Sequence, residues 1–157
     1  MAGTIEQRLI TLGIELPTPA APRAARIRMH RRLGNQLFIS GQLPSWNGDV
    51  RYKGKVGSDL DLATAQQAAR LSALNVLAQV RDALPNGLDG VISVVNLRGF
   101  VAVDPSFWQV AEVVNGASDL MVEIFGENGA HTRTAVGVCT MPHNVCVEIE
   151  ALFEVQE

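Results

Sequence analysis

Arg133 and Glu148 are the two residues in this sequence whose types could do chemistry together. A guanidinium grips a carboxylate through two parallel hydrogen bonds, which fixes orientation as well as charge. A second carboxylate beside the held molecule can order or deprotonate a water. Arg133 opens the run Arg-Thr-Ala-Val-Gly-Val, Glu148 lies in Val-Cys-Val-Glu-Ile-Glu, and Met141-Pro-His-Asn144 separates them like a four-residue turn. If that turn pairs Thr140 with Val145, Gly137 opposes Glu148, and directly opposed residues point to one side of an antiparallel pair. Arg133, Gly137 and Glu148 then share a face, with Gly137 leaving room beside the carboxylate. Arg133 and Gly137 lie roughly 13 Å apart along such a strand, enough for a small molecule between the charges. The plainer reading of the same spacing is an ion pair on a solvated sheet face, worth no more than about 1 kcal/mol.

Other reactive residue types form no pattern. His30, His131 and His143 are scattered, with no HxxxH or Cys/His spacing, so no metal or other cofactor is expected. His131 shares a face with Arg133 only if the strand begins early, and is otherwise an exposed loop residue, the reading preferred here; His143 is expected to be a solvated turn residue. In the hairpin register Cys139 and Cys146 face each other within disulfide reach, and are expected as buried free thiols with no base beside them. Gly54-Lys55-Val-Gly57-Ser58 lacks the Walker spacing and reads as a loop.

The elements that must position these residues are set by periodicity. Residues 4–12 carry Ile5, Leu9 and Leu12 at helical spacing, with Thr4 placed to cap and Gly13 to stop. Pro17, Pro19 and Pro22 impose an extended link. Residues 26–32 and 36–40 read as strands around Leu33-Gly34-Asn35, a hairpin signal, and 50–53 as a further short strand. The clearest helix is 61–84, with Ala65, Ala69, Ala73, Val76 and Val80 along one stripe, closed by Pro85-Asn86-Gly87. A β run covers 91–103, and Asp104-Pro105-Ser106 starts a second helix over 107–125, with Asn115-Gly116 a place where it could break. Two strands, 133–140 and 145–155, complete the series; the latter alternates Val147, Ile149, Ala151, Phe153 and Val155 against Glu148, Glu150, Leu152 and Glu154. The expectation is one α+β domain over residues 1–157, with a mixed, mainly antiparallel sheet and two long helices on one face. Residues 1–25 add an N-terminal helix and its link.

At 157 residues the chain is near the usual size for a single core and needs no disulfide to fold. Its net charge of −3 argues against a nucleic-acid partner. The one basic run, from Arg23 through Arg26 and Arg28 to Arg31-Arg32, alternates with Ile27 and Met29 like an exposed strand face and lacks aromatic residues to stack bases. No stretch approaches the ~20 apolar residues of a membrane span, and the first residues lack the pattern of a signal peptide, so cytoplasmic residence is the default.

The ordered motifs also resemble a known family. Arg133-Thr-Ala-Val-Gly-Val, then Met141-Pro142, then Val147-Glu148-Ile149-Glu150 is similar to the C-terminal signature of the RidA family, also called YjgF or "L-PSP endoribonuclease". Leu37-Phe-Ile-Ser40-Gly41-Gln42-Leu-Pro44 resembles its serine-glycine-glutamine turn, and residues 68–80 its long helix. The likeness runs from about residue 26 onward. It implies a chorismate-mutase-like subunit, assembled as a homotrimer with ligand clefts between subunits. It further implies hydrolysis of an enamine or imine to a keto acid and ammonia, as by a 2-iminobutanoate/2-iminopropanoate deaminase. On that resemblance Arg133 binds the substrate carboxylate, Glu148 positions the attacking water, and backbone around Ser40, Gly41 and Thr134 lines the pocket. Asn115, in Val114-Asn115, matches a family asparagine on the second helix. The family's N-terminal Pro-Tyr-Ser segment is absent, and Ala135 stands where many members carry cysteine. The N-terminal helix and Asn115-Gly-Ala-Ser118-Asp-Leu resemble a longer, less characterised branch. Two alternatives to the hydrolase stand beside it: a non-catalytic sensor or carrier of small carboxylates, and a ribonuclease, against which the acidic charge and the lack of a histidine acid/base pair both count.

Overall fold

The computed structural model describes residues 3–22 and 26–157. In chain order these form α1 (Thr4–Leu12), β1 (His30–Leu33), β2 (Gln36–Gln42), the short strands β3 (Ser45–Trp46) and β4 (Asp49–Val50), α2 (Leu62–Ala83), β5 (Val91–Ala102), α3 (Val110–Phe125), β6 (Thr132–Val138) and β7 (Val147–Val155). Five strands make one sheet in the order β1-β2-β7-β5-β6, and β3 pairs with β4 apart from it. The pairs are antiparallel except β5–β6, which is parallel. The described residues thus form an α+β domain of three α-helices and a mixed sheet, as the periodicity implies.

The alternation in β7 explains how the sheet is covered. Val147, Ile149, Phe153 and Val155 are fully buried on one face, while Glu148, Glu150, Leu152 and Glu154 are only half-buried on the other. The apolar face lies under α2, which packs on β2 and β7, and α3, which packs on β5 and β6. Asp61 caps α2 by accepting from the Thr64 amide at 2.8 Å. Small residues let the two helices approach closely: a Cβ at Gly116 of α3 would meet the Gln66 carbonyl oxygen of α2. α3 runs unbroken through Asn115-Gly116, and it begins at Val110, three residues later than the sequence suggests. No helix among the described residues is long and apolar enough to cross a membrane.

Several local expectations give way. Thr4 lies inside α1; the helix start is instead closed by Asp89, whose Oδ1 accepts from the Ile5 amide at 2.8 Å. Arg81 of α2 holds Glu6 at 2.6 Å, so the extra helix is fastened to the end of the long one. Strand β1 begins only at His30; Arg26 and Arg28 precede it, and Arg23 lies outside the described residues. The short strand expected over 50–53 is the β3–β4 hairpin, which ends at Val50.

The largest correction concerns the C-terminal hairpin, because β6 and β7 do not pair. A single turn (Gly126–Gly129) returns the chain from α3 to the sheet, so β6 docks beside β5, the strand that entered the helix, as in any parallel crossover. β7 takes the other side of β5 and is flanked there by β2. Residues 139–146 therefore cross from the edge of the sheet to its middle. The crossing is held by the 52–54 loop: the Gly54 amide donates to the Asn144 carbonyl and the Cys146 amide to that of Tyr52. The two cysteines are free and apart. Cys146 is buried, which pushes its thiol up to about 12, and Cys139 is exposed rather than buried.

Candidate functional site

Strand pairing places the two key charges on opposite faces of one sheet. Arg133 aligns with Leu97, which aligns with Ala151, and both of these are buried under the helices. Glu148 aligns with Phe100 and through it with Val136, on the open face. Arg133 and Glu148 of one chain therefore do not face each other, contrary to the hairpin register.

On the helix side, Arg133 is half-buried against α3. Its Nη1 donates to Asn115 Oδ1 at 2.7 Å and to Ser118 Oγ at 3.1 Å. Residues three apart on a helix share a face, which is why both acceptors reach the same nitrogen. His131, two residues before Arg133 on the same side, completes the cluster. Its Nδ1 lies 2.6 Å from the Gly129 carbonyl oxygen and its Nε2 lies 2.9 Å from Ser118 Oγ. A carbonyl can only accept, so Nδ1 carries the ring proton in the neutral imidazole and Nε2 accepts from the Ser118 hydroxyl. Asn115 thus lies against Arg133. Ser118 and His131 join it as well; the signals in the sequence were the three-residue step from Asn115 and the two-residue step to Arg133. His131 is a half-buried member of this cluster and not the exposed loop residue expected. Arg133 enters none of the ion pairs formed among the described residues.

Across the sheet, Glu148 opens on a cavity of about 450 Å³ whose walls include Met29, Ser40, Gly41, Pro142 and His143. The register of β2 on β7 jumps between Ile39 and Gln42, which brings the Gly41 backbone against the Glu148 side chain. A Cβ at Gly41 would meet Glu148 Oε1, so only glycine lets the carboxylate lie there. Burial raises the Glu148 carboxyl above its ordinary value, and the neighbouring Glu150 raises it further. Glu150 itself is engaged by Arg98 at 3.2 Å, whereas Glu148 enters no ion pair among the described residues. Ser40 forms part of the wall with its donors engaged: the amide donates to the Met29 carbonyl at 2.9 Å and the hydroxyl to that of Arg28 at 2.6 Å. Thr134, one residue beyond Arg133, points to the open face, where it lines a second cavity of about 590 Å³ with Asn96, Arg98 and Ser40. It is parted from Arg133 by the sheet. No group of three or more metal-binding side chains occurs among the described residues.

The fold and these two half-sites can be set beside known proteins. Residues 6–155 match the family described as YjgF/chorismate mutase-like, "putative endoribonuclease". The chain belongs to the YjgF/RidA family. Protein TCP17 of Trypanosoma cruzi is 43% identical over 154 residues, covering 98% of this chain and 95% of its own length. The crystal structure of Atu1372 from Agrobacterium tumefaciens, a protein of unknown function, is 44% identical with a TM-score of 0.89, over 98% of this chain and 94% of that one. The crystal structure of TdcF from E. coli with bound serine is 25% identical with a TM-score of 0.60, over 90% of this chain and 94% of that one.

Proposed function

We propose that this YjgF/RidA protein binds a small carboxylate-bearing metabolite at a cleft between two copies of a homotrimer. There it hydrolyses a reactive enamine or imine to a keto acid and ammonia. The observation that carries the reading is a complementary pair of unpaired charges. Arg133 is steadied by the neutral groups of Asn115 and Ser118 yet enters no ion pair among the described residues, and Glu148 lines a cavity in the same condition. Because the sheet separates them within one chain, the substrate meets both only where Arg133 of one copy comes beside Glu148 of another. The open face supports self-association, since Phe38 (43% exposed) and Val136 (39%) stand on it in the monomer. The relative TdcF holds serine, a ligand with a carboxylate.

In the reaction, Arg133 fixes the carboxylate through its guanidinium and so places the adjacent C=N carbon. Glu148 orders a water and takes its proton as oxygen adds to that carbon. The imine nitrogen receives that proton; Glu148 then takes the hydrogen of the new hydroxyl as it closes to C=O and passes it to the nitrogen, whose bond to carbon breaks to release ammonia and leave the keto acid. The raised carboxyl of Glu148 suits a group that accepts and returns a proton. The test is complementation. Arg133→Ala and Glu148→Gln are each expected to release no ammonia from 2-aminoacrylate generated in situ. Mixing them at equal amounts after dissociation restores both groups in about a quarter of the clefts by random association. An active Arg133→Ala protein, or a mixture as inactive as its components, overturns the reading.

A further inference from the structure

The Arg133 cluster specifies more than the presence of a guanidinium; it specifies which edge of it is free. A guanidinium carries five N–H donors, one on Nε and two on each Nη, and offers two bidentate edges to a carboxylate. One is the end, shared by Nη1 and Nη2; the other is the side, shared by Nε and Nη2. Here Nη1 holds two acceptors at once, Asn115 Oδ1 and Ser118 Oγ, at 2.7 and 3.1 Å. Both of its hydrogens are committed, so the end-on edge is closed.

His131 bears on this through Ser118. A serine hydroxyl has one hydrogen and two lone pairs, and only a lone pair is useful to Arg133. The Nδ1–H to Gly129 bond locks the imidazole with Nε2 bare, and Nε2 draws the Ser118 hydrogen to itself across 2.9 Å. The lone pairs of Ser118 are then left for Arg133. We propose that Ser118 and His131 are positioning residues: with Asn115 they tie off Nη1 and present the Nε/Nη2 edge of Arg133 to the incoming carboxylate, which is captured side-on. This rests on the reading of Arg133 as the carboxylate anchor.

Two probes separate the inference from that reading: 2-oxobutanoate and the uncharged 2-oxobutanamide, with binding followed by calorimetry. The wild-type protein is expected to prefer the acid. Ser118→Ala lowers that preference by about tenfold, leaving the amide's affinity unchanged. His131→Leu does the same, and the double variant is no worse than Ser118→Ala alone, because histidine acts through serine. His131→Gln, which can set an oxygen near the place of Nε2, recovers most of the preference. A variant that fails to fold does not close the matter, since ¹⁵N NMR of the wild-type Arg133 side chain reads the edge directly. 2-Oxobutanoate is expected to shift the Nε–H and Nη2 signals and leave those of Nη1 in place. If wild type does not prefer the acid, the carboxylate reading falls, and the positioning role with it. If wild type prefers the acid but Ser118→Ala keeps that preference, or the ligand moves the Nη1 signals, the positioning role alone is overturned.

Discussion

Arg133 and Glu148 stand on opposite faces of the same sheet, and their surroundings differ in kind. The arginine is restrained by neutral hydrogen-bonding side chains from α3, so it keeps its full charge while losing freedom of motion. The glutamate is restrained by shape: the Gly41 backbone and a half-closed cavity hold it, and the cost of partial burial makes its proton harder to lose. One region is built to hold charge in place and the other to make charge conditional. That division is what the proposed hydrolysis asks for: a carboxylate anchor that stays ionised and a water-handling group that changes state.

The comparison breaks most visibly at the anchor. Arg133→Ala is expected to weaken 2-oxobutanoate binding by about 100-fold, the loss typical of a charge-assisted bidentate contact, as measured by calorimetry. Unchanged affinity would mean that the two regions are not anchor and catalyst at all. Gly41→Ala probes the other side. The added methyl must push the Glu148 carboxylate aside, and because that is the far end of a flexible side chain, the fold survives. Turnover is expected to fall by about 100-fold while 2-oxobutanoate affinity stays within about threefold, a split read by parallel rate and binding assays. Equal losses in both would show the two regions to be one.

Two smaller effects sharpen the contrast. Gly116→Ala sets a methyl against the Gln66 carbonyl, a backbone atom with little room to move. It should lower Tm by about 4–8 °C in calorimetry, overpacking outweighing alanine's better helix propensity. Glu148→Gln should do the opposite. The folded state raises the Glu148 carboxyl above its unfolded value, so it binds that proton more tightly than the unfolded chain does. The ionised carboxylate therefore opposes folding; the penalty is absent in acid, grows as pH rises through the folded value, and is constant above it. Removing it should raise Tm on the order of 1 °C at neutral pH, the group being half exposed, and not at all below about pH 4. A fall in Tm at neutral pH would show that Glu148 is not held at a cost.

The parts of this arrangement legible in the sequence are those written by burial on two distinguishable faces. β7 alternates because its apolar side meets helices and its polar side does not, and α2 repeats alanine because a second helix crosses it closely. Arg133, Glu148, Ser40, Gly41 and Asn115 were reachable through ordered motifs. The identity of neighbouring strands was not legible. Met141-Pro-His-Asn144 has the composition of a hairpin turn, and a crossing segment needs the same residues: His143 and Asn144 bend with φ of 55° and 57°. Local chemistry marks a bend without fixing where the next strand docks. Ser118 and His131 were obscured for a related reason, since a serine on a helix and a histidine at a strand's start are each commonplace until the fold sets them 2.9 Å apart.

The position of β7 has a consequence for how the protein comes into being. It is the last strand in chain order and the middle strand of the sheet, with β1–β2 on one side and β5–β6 on the other. Until residues 147–155 arrive, the two halves of the sheet share no backbone hydrogen bonds, and Leu37, Val94 and Leu97 lack the neighbours that bury them. The sheet is thus completed by a pairing between strands far apart in sequence, β2 and β7, a non-local contact of the kind that slows folding, and that pairing also seats Glu148 against Gly41.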